Sequence, residues 1–387
     1  MSRYHSYINT AKDILDLYNG QEPFASFLKK YFAGQKKFGS TDRRQISHIC
    51  YCYFRIGKMC GHESMENRLL IGLFLCSTGS NEMLRQLRPD WDEQAQLSAK
   101  EKITLTGAGD TNKIFPFNGE LSEGIVWEEF CLSHLKQPDL FLRLRPGKEK
   151  VVKQKLEKAA ISFRSVSETC LSLLNASKVD AVIELNKEAV VQDLSSQRVG
   201  EYMRYAHDHL SAPISAWDCC AASGGKSIML HDIDPAVDLT VSDIRESILV
   251  NLKKRFKEAG LSNYTALVAD LTTSDIKLPA FQLINCDAPC SGSGTWGRGP
   301  EQLSYFEEKK VNDYASLQKR IVSNTISWLR PGGYYLYSTC SVFKKENEEV
   351  VEYVRQHFPL ELIKMEIIKG YDAKADTMFA ALLKKPL

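Results

Sequence analysis

The feature that most constrains the fold is a regular alternation of short apolar runs with helical patterns, from about residue 201 onward. Strands that alternate with helices in this way are typical of a parallel β-sheet. Three successive runs each end in an acid, at Asp243, Asp270 and Asp287. Because the carboxyl ends of parallel strands meet at one edge, we expect these carboxylates on the same side of the sheet.

A loop of small residues follows the first strand of this region, which is predicted over residues 216–220. Such a loop lets a ligand approach the backbone at the start of a helix. A phosphate-binding P-loop would need glycine in place of Cys220, and the G-x-G-x-x-G motif is absent. The pattern therefore predicts a ligand with free ribose hydroxyls and no pyrophosphate, and S-adenosylmethionine fits best. The candidate cofactor-binding residues are Cys220, Ala221, Ala222, Ser223, Gly224, Gly225, Lys226, Asp243, Asp270 and Asp287.

Two thiols follow predicted strands in the C-terminal half. Asp287 and Cys290 follow the apolar run at 281–284, and Cys340 lies near the end of a strand over residues 334–341. An acid and thiols at the carboxyl ends of strands lie where an open α/β sheet places its chemistry. A purely structural role is the alternative, since acids often precede turns and cysteine is a common small core residue.

Helical periodicity and basic residues mark the N-terminal part of the chain. A helix capped by Thr41 or Asp42 is predicted to bury a stripe from Ile46 to Phe54. Basic residues interleaved with aromatic ones can neutralise phosphates, or they form an ordinary solvated face. These basic residues are Lys29, Lys30, Lys36, Lys37, Arg43, Arg44, Arg55 and Lys58. Turn-rich sequence then predicts a connector over about residues 78–125.

A small α/β module is predicted between the helical part and the parallel sheet. Residues 142–145 alternate as a strand that presents Arg143 and Arg145 on one face, and residues 181–185 are predicted as a second strand. The two arginines either contact RNA or simply face solvent.

Composition excludes some classes of protein. The net charge of +2 does not by itself indicate a nucleic-acid-binding protein, and no apolar run is long enough to cross a bilayer. The N-terminus lacks the apolar core of a secretion signal. The 11 scattered cysteines favour free thiols in a reducing cytosol, so we expect a cytoplasmic protein. No metal site is expected, since no usual zinc spacing is matched by His48, Cys50, Cys52, Cys60 and His62.

Several motifs resemble those of the RsmB/Nop/NSun family of RNA cytosine-5 methyltransferases. Residues 287–295 and residues 338–341, with Glu346-Asn347-Glu348 downstream, look like its two signature motifs, and residues 220–227 resemble its cofactor loop. The resemblance covers about residues 130–387. The helical start, with Asp42-Arg43-Arg44, resembles a NusB-like RNA-binding domain.

This resemblance implies three domains and an α/β fold class. A Rossmann-like class I S-adenosylmethionine methyltransferase domain is expected over residues 205–387. A small α/β, RRM-like RNA-binding module is expected before it over residues 126–204, and an all-α NusB-like domain over residues 1–125.

The resemblance also implies methyl transfer from S-adenosylmethionine to carbon 5 of cytosine in RNA, through a covalent adduct with Cys340. Asp287 would bond the N3/N4 edge of the base, and Cys290 would assist release. Lys226 is the candidate cation beside the Cys340 thiolate. The target cytosine must be unpaired or flipped out, and ribosomal RNA is favoured over transfer RNA. The alternatives are methylation of an exocyclic amine and a non-catalytic RNA-binding or ribosome-assembly factor.

Overall fold

The computed structural model describes residues 3–273 and 277–387. These residues divide into two compact units. The first unit comprises residues 3–119, 126–137 and 295–307, and the second comprises the described parts of 120–125, 138–294 and 308–387. Each unit is therefore assembled from segments that are distant in the sequence.

The first unit is built from helices. The predicted stripe is buried on the helix Ser40–Arg55, where Ile46 and Phe54 are almost completely inaccessible. The Asp42 carboxylate accepts a hydrogen bond of 2.9 Å from the Gly39 N–H, so this acid takes part in the cap. The helices of the unit are Arg3–Leu17, Phe24–Ala33, Ser40–Arg55, Met65–Cys76, Glu82–Leu87, Pro89–Asp92, Ala99–Thr106, Trp127–Ser133 and Gln302–Tyr305.

The stretch predicted as a connector, residues 78–125, contains three of these short helices. Side-chain caps define two of their starts. The Asn81 side chain accepts from the Met83 N–H at 2.9 Å, and the Ser98 hydroxyl accepts from the Glu101 N–H at 3.4 Å. Turn-forming residues thus serve here as helix caps, which is why the sequence looked like a loop.

Arg55 does not belong to the exposed basic surface that the sequence predicted. Its side chain is buried, and its guanidinium donates to the carbonyl oxygens of His134 and Lys136 at 2.8 and 3.0 Å. It also donates to the Gln137 side chain at 2.6 Å. Arg55 therefore joins two segments of the helical unit. The predicted basic residues that are exposed are Lys29, Lys30, Lys36, Lys37, Arg44 and Lys58.

The second unit contains a four-stranded antiparallel sheet with the order β2-β3-β1-β4. Its strands are β1 (Leu140–Leu144), β2 (Phe163–Ser165), β3 (Cys170–Leu173) and β4 (Ala189–Val191), with the helix Glu149–Lys158 between β1 and β2. The predicted strand over residues 181–185 is wrong. A short 3-10 helix, Val179–Ala181, and a turn occupy this region, and Ile183 is buried there without a strand partner. Burial of the apolar run did not require strand pairing.

Arg143 and Arg145 neither contact solvent broadly nor lie on an open sheet face. Both guanidiniums pair with the carboxylate of Asp232, which lies in the helix Gly225–Ile233. The Arg145–Asp232 distance is 2.6 Å, and the side chains of all three residues are at least 89% buried. These arginines therefore tie the small sheet to the larger sheet's helix within the same unit.

The larger sheet has seven strands in the order β10-β11-β9-β8-β5-β6-β7. The strands β7, β6, β5, β8 and β9 are parallel, and β11 and β10 are added antiparallel. The strands are β5 (Ser215–Asp218), β6 (Asp238–Asp243), β7 (Tyr264–Val268), β8 (Phe281–Asp287), β9 (Leu329–Thr339), β10 (Glu361–Ile368) and β11 (Met378–Lys384).

Helices cover both faces of this sheet. Val199, Ile228 and Leu252 pack into one apolar layer, and Ile321 and Val350 pack into the other. The helices are Leu194–Asp208, Gly225–Ile233 and Glu246–Ala259 on the first face and Lys309–Ile326 and Glu348–His357 on the second. The predicted α/β, Rossmann-like fold class is confirmed. Of the described helices, none combines the length and the apolar character that crossing a membrane requires.

Candidate active site at the carboxyl edge of the sheet

The strand order places the candidate residues around one crevice. The chain runs from β5 outward to β6 and β7, and then returns to add β8 and β9 on the other side of β5. Ligands of open α/β sheets bind at the carboxyl ends of the strands where the order reverses in this way. Cys220 follows β5, Asp287 ends β8, and Cys340 directly follows β9.

The structure brings the two predicted thiols together. The Sγ atoms of Cys290 and Cys340 are 3.3 Å apart, and both residues are half-buried. The hydrogen bond to Cys340, together with burial, raises the pKa of the Cys290 thiol well above its ordinary value. The raised pKa favours the protonated thiol of Cys290, and either sulfur can be the donor in this contact.

Lys226 and Asp287 form an ion pair beside these thiols. The Lys226 Nζ lies 2.7 Å from Asp287 Oδ2, and the Ser338 hydroxyl donates to Oδ1 at 3.0 Å. Burial alone would lower the pKa of Lys226, but the Asp287 carboxylate outweighs it, and Asp218 and Cys340 act in the same direction as Asp287. The pKa is raised overall, so the ammonium stays charged within electrostatic reach of Cys340.

Glu346 holds the two cysteine-bearing loops. Its buried carboxylate accepts from the Ser291 N–H and the Ser341 hydroxyl, both at 2.8 Å, and from the Gln318 amide at 3.0 Å. Burial raises the pKa of Glu346 even though these donors favour the charged form. The sequence places Glu346 within a motif but does not indicate its role, because its hydrogen-bond partners lie up to 55 residues away in the chain.

Three further hydrogen bonds hold the chain at Cys340 and on either side of it. The Asn347 side chain accepts from the Thr339 hydroxyl at 2.6 Å and donates to the Ser341 carbonyl at 2.9 Å. The Gly294 N–H donates to the Cys340 carbonyl at 2.9 Å. The loop that carries Cys340 is therefore held by hydrogen bonds at Thr339, Cys340 and Ser341.

The loop after β5 has the open backbone that a cofactor needs. Gly224 has a φ of +81°, and a Cβ added to Gly225 would meet no atom within 4 Å. The Asp243 carboxylate accepts from the Ala222 N–H at 3.1 Å and pairs with Arg245 at 2.9 Å. Burial would raise the pKa of Asp243, but Arg245 outweighs it and keeps the acid ionised. An accessible helix start beside an ionised acid fits the predicted adenosyl ligand.

Asp270 does not end a strand as predicted, because β7 ends at Val268, and it differs from the acids that end β6 and β8. It is exposed, and its Oδ1 accepts from the Thr272 N–H and hydroxyl at 2.9 and 2.7 Å. These bonds stay within its own turn and lower its pKa. Asp243 and Asp287, in contrast, bond to the segments that form the crevice.

Asp218 is a buried acid that sequence reasoning missed. Its carboxylate accepts from the Ser227 hydroxyl at 2.5 Å and the Asn285 amide at 2.9 Å. Burial raises the pKa of Asp218 to about 6, in spite of these two donors. The acid joins β5, β8 and the first turn of the helix that begins at Gly225. Its only signal in the sequence was its place at the end of a strand.

Together, the doubly wound sheet, the glycine-containing loop after β5 and the acid at the end of β6 define a Rossmann-like methyltransferase domain. Residues 213–383 match the family described as 16S rRNA methyltransferase RsmB/F. This match lies within the part of the chain whose motifs resemble the RsmB/Nop/NSun family, and it agrees with that resemblance.

Individual relatives agree with this family. The chain is 28% identical over 232 residues to a ribosomal RNA small subunit methyltransferase B of Shewanella oneidensis, covering 58% of this chain and 53% of that protein. The chain thus spans about half the length of this curated relative. The crystal structure of PH0851 matches over 100% of both chains, with a TM-score of 0.72 and 19% identity. NSun6 from Pyrococcus horikoshii with SFG matches 68% of this chain and 96% of its own, with a TM-score of 0.58 and 15% identity.

Proposed function

We propose that this chain transfers a methyl group from S-adenosylmethionine to carbon 5 of a cytosine in RNA, with Cys340 as the nucleophile. The observation that carries the proposal is the pair of sulfur atoms 3.3 Å apart beside the ion pair of Lys226 and Asp287. Carbon 5 of cytosine is a weak nucleophile, and addition of a thiolate to carbon 6 activates it. A cation and a second thiol beside the nucleophile match what that chemistry needs.

Cys340 supplies the covalent step. Its sulfur forms a bond to carbon 6, and the electron pair of the 5,6 double bond becomes available at carbon 5. The ammonium of Lys226 places a positive charge near the sulfur of Cys340, and the hydrogen-bonded loop positions that sulfur. Lys226 and Ser338 hold Asp287, whose side chain stays 30% exposed. Its carboxylate accepts from the N4 amine of the base and, in the protonated adduct, from N3–H.

Cys290 completes the reaction. After methyl transfer, the proton on carbon 5 must leave and the bond from carbon 6 to the Cys340 sulfur must break. The hydrogen bond to Cys340 is the largest cause of the raised pKa of Cys290. Adduct formation removes that bond, so Cys290 can release its proton to solvent and, as the thiolate, accept the proton from carbon 5. Elimination returns the electron pair to the sulfur of Cys340.

When bound, S-adenosylmethionine supplies an electrophilic methyl group on a sulfonium. The residues suited to hold it are the loop 220–226, with Asp243 accepting from the ribose hydroxyls. The accessible backbone of Gly225 supports this assignment. SFG, with which the similar NSun6 structure was determined, is an S-adenosylmethionine analogue.

Ribosomal RNA is the substrate class that we propose, ahead of transfer RNA. The family match and the Shewanella relative are both named for ribosomal RNA. The exposed lysines of the helical unit, among them Lys29, Lys36 and Lys58, offer charges that can neutralise RNA phosphates.

A covalent trap tests the proposal. The protein would be incubated with S-adenosylmethionine and cellular RNA that contains 5-fluorocytosine, which blocks the loss of the group at carbon 5. We expect a protein–RNA adduct that survives denaturing electrophoresis and disappears in Cys340→Ala but not in Cys170→Ala, a buried cysteine of the small sheet. Sequencing the trapped RNA identifies the substrate.

Two outcomes of the trap would contradict the proposal. An adduct that persists in Cys340→Ala and disappears in Cys290→Ala would mean that the two cysteines have the opposite roles. Calorimetric binding of S-adenosylmethionine without any adduct would favour a non-catalytic RNA-binding factor.

A further inference from the structure

A second group of sulfur atoms lies beneath the crevice. The three-thiol cluster consists of Cys219, Cys220 and Cys286, whose Sγ atoms all lie within 4.8 Å of one another. Cys219 and Cys220 follow β5, and Cys286 is the penultimate residue of the adjacent strand β8. Methyl transfer as proposed above uses neither Cys219 nor Cys286, so the cluster needs a separate explanation.

The spacing of the cluster suits a metal ion. A cation bonded to three sulfur atoms at about 2.3 Å holds them roughly 4 Å from one another. The observed separations therefore need only small side-chain movements. Thiolate ligands select soft cations such as Zn²⁺ and Cu⁺ over Mg²⁺ or Ca²⁺. We propose that the three-thiol cluster binds one thiophilic cation through the sulfur atoms of Cys219, Cys220 and Cys286.

Burial fixes the route by which a cation can enter. Cys219 and Cys286 are fully buried, whereas Cys220 is half-buried at the start of the cofactor loop. A cation must therefore arrive past Cys220. Each S–H bond that is replaced by a metal–sulfur bond releases its proton to the solvent, so uptake is accompanied by release of up to three protons and is favoured at higher pH.

The position of Cys220 links this site to the proposed cofactor site, and this link rests on the proposed function. S-adenosylmethionine bound along the loop 220–226 would cover Cys220 and slow cation uptake. Such slowing would support entry past Cys220. Unchanged uptake in a protein that binds S-adenosylmethionine would overturn that route.

The test must separate this cluster from the Cys290–Cys340 pair, which also attracts thiophilic ions. The reduced full chain carrying Cys290→Ser and Cys340→Ser provides the background, because the readout is metal binding and not catalysis. Zn²⁺ and, without oxygen, Cu⁺ would be titrated in separate arms against a chromophoric chelator. We expect the protein to bind one equivalent of at least one of these cations. The cation that binds more tightly is the one that the cluster prefers.

Additional substitutions in this background assign the ligands. We expect Cys286→Ala to weaken binding at least tenfold, and Cys131→Ala, a buried cysteine of the helical unit, to leave it unchanged. Cys219→Ala provides a second variant, and the melting temperature of each variant checks its folding. X-ray absorption of the bound cation should show three sulfur neighbours. Failure of both cations to bind would overturn the proposal. So would binding by folded Cys286→Ala and Cys219→Ala that is as tight as binding by the background protein.

Discussion

Two groups of cysteines lie at the same edge of the large sheet, and their surroundings differ. Cys290 and Cys340 are half-buried, and hydrogen bonds centred on Glu346 fix their loops. Cys219 and Cys286 instead belong to an apolar layer of the core. Both groups bring sulfur atoms close together, so the distance between the thiols does not distinguish the two groups.

Charge and access separate the two groups. Cys340 is within electrostatic reach of the Lys226 ammonium, which forms an ion pair with Asp287. Cys286 is instead completely buried. We therefore expect substitutions around the pair to reduce the rate of methyl transfer, and the buried side of the site to affect mainly stability. Substitutions of Lys226, Glu346, Gly294 and Asp218 test this division.

The largest effect is expected from Lys226→Gln. This change removes the cation beside Cys340 and the ion pair that orients Asp287, so we expect kcat to fall about 100- to 1,000-fold. Raising the pH should restore part of the rate, because hydroxide then removes the thiol proton without help from the ammonium. The pH profile of single-turnover methyl transfer measures both effects. Lys253→Gln, on an exposed helix position, is the control.

A rate for Lys226→Gln within threefold of the control at neutral pH would remove the distinction between the two groups of cysteines. Equal losses at all pH values would instead assign Lys226 to orientation of Asp287 alone.

The second-largest effect on kcat is expected from Glu346→Ala. It removes the carboxylate that accepts from the Ser291 N–H, the Ser341 hydroxyl and the Gln318 amide, at a cost of about 2 to 4 kcal/mol in the free energy of unfolding. We expect kcat to fall roughly a hundredfold with little change in KM, because the loops lose their positions. Glu346→Gln keeps one acceptor oxygen and should recover part of the rate. A Glu346→Ala protein that is destabilised but fully active would show that the network is only structural.

The sequence predicted the part of this site that depends on local pattern. Asp243 and Asp287 were placed correctly because an apolar run defines a strand and its carboxyl end. The pairing of Arg145 with Asp232, 87 residues away, depends on how two sheets pack and has no local signal. The hydrogen bonds of Glu346 likewise join distant segments and have no local signal in the sequence. The strand predicted over residues 181–185 was wrong for a different reason, because an apolar run can also be buried in a turn.

Gly294→Ala tests how closely the loops are packed. A Cβ at this position would lie 1.9 Å from the Thr377 carbonyl oxygen and 3.0 Å from that of Cys340. The loop must shift, and we expect a roughly tenfold loss of kcat with a lower melting temperature. Gly119→Ala is the control, because an added Cβ there meets no atom within 4 Å. An unchanged rate for Gly294→Ala would mean that the position of Cys340 tolerates movement of its loop.

The smallest effect on activity is expected on the buried side, at Asp218. Because its pKa is raised to about 6, the folded protein binds a proton that the unfolded chain, near the ordinary value of 3.8, releases. This group therefore makes stability fall as pH rises from about 4 to 6, by about 2 to 3 kcal/mol. In Asp218→Asn this contribution is absent, so the difference in unfolding free energy between the two proteins should change across that interval. Urea unfolding at several pH values measures it, with exposed Asp238→Asn as control. Parallel curves for wild type and Asp218→Asn would show that Asp218 stays ionised in the folded protein, and that the buried side of the site is more polar than its packing indicates.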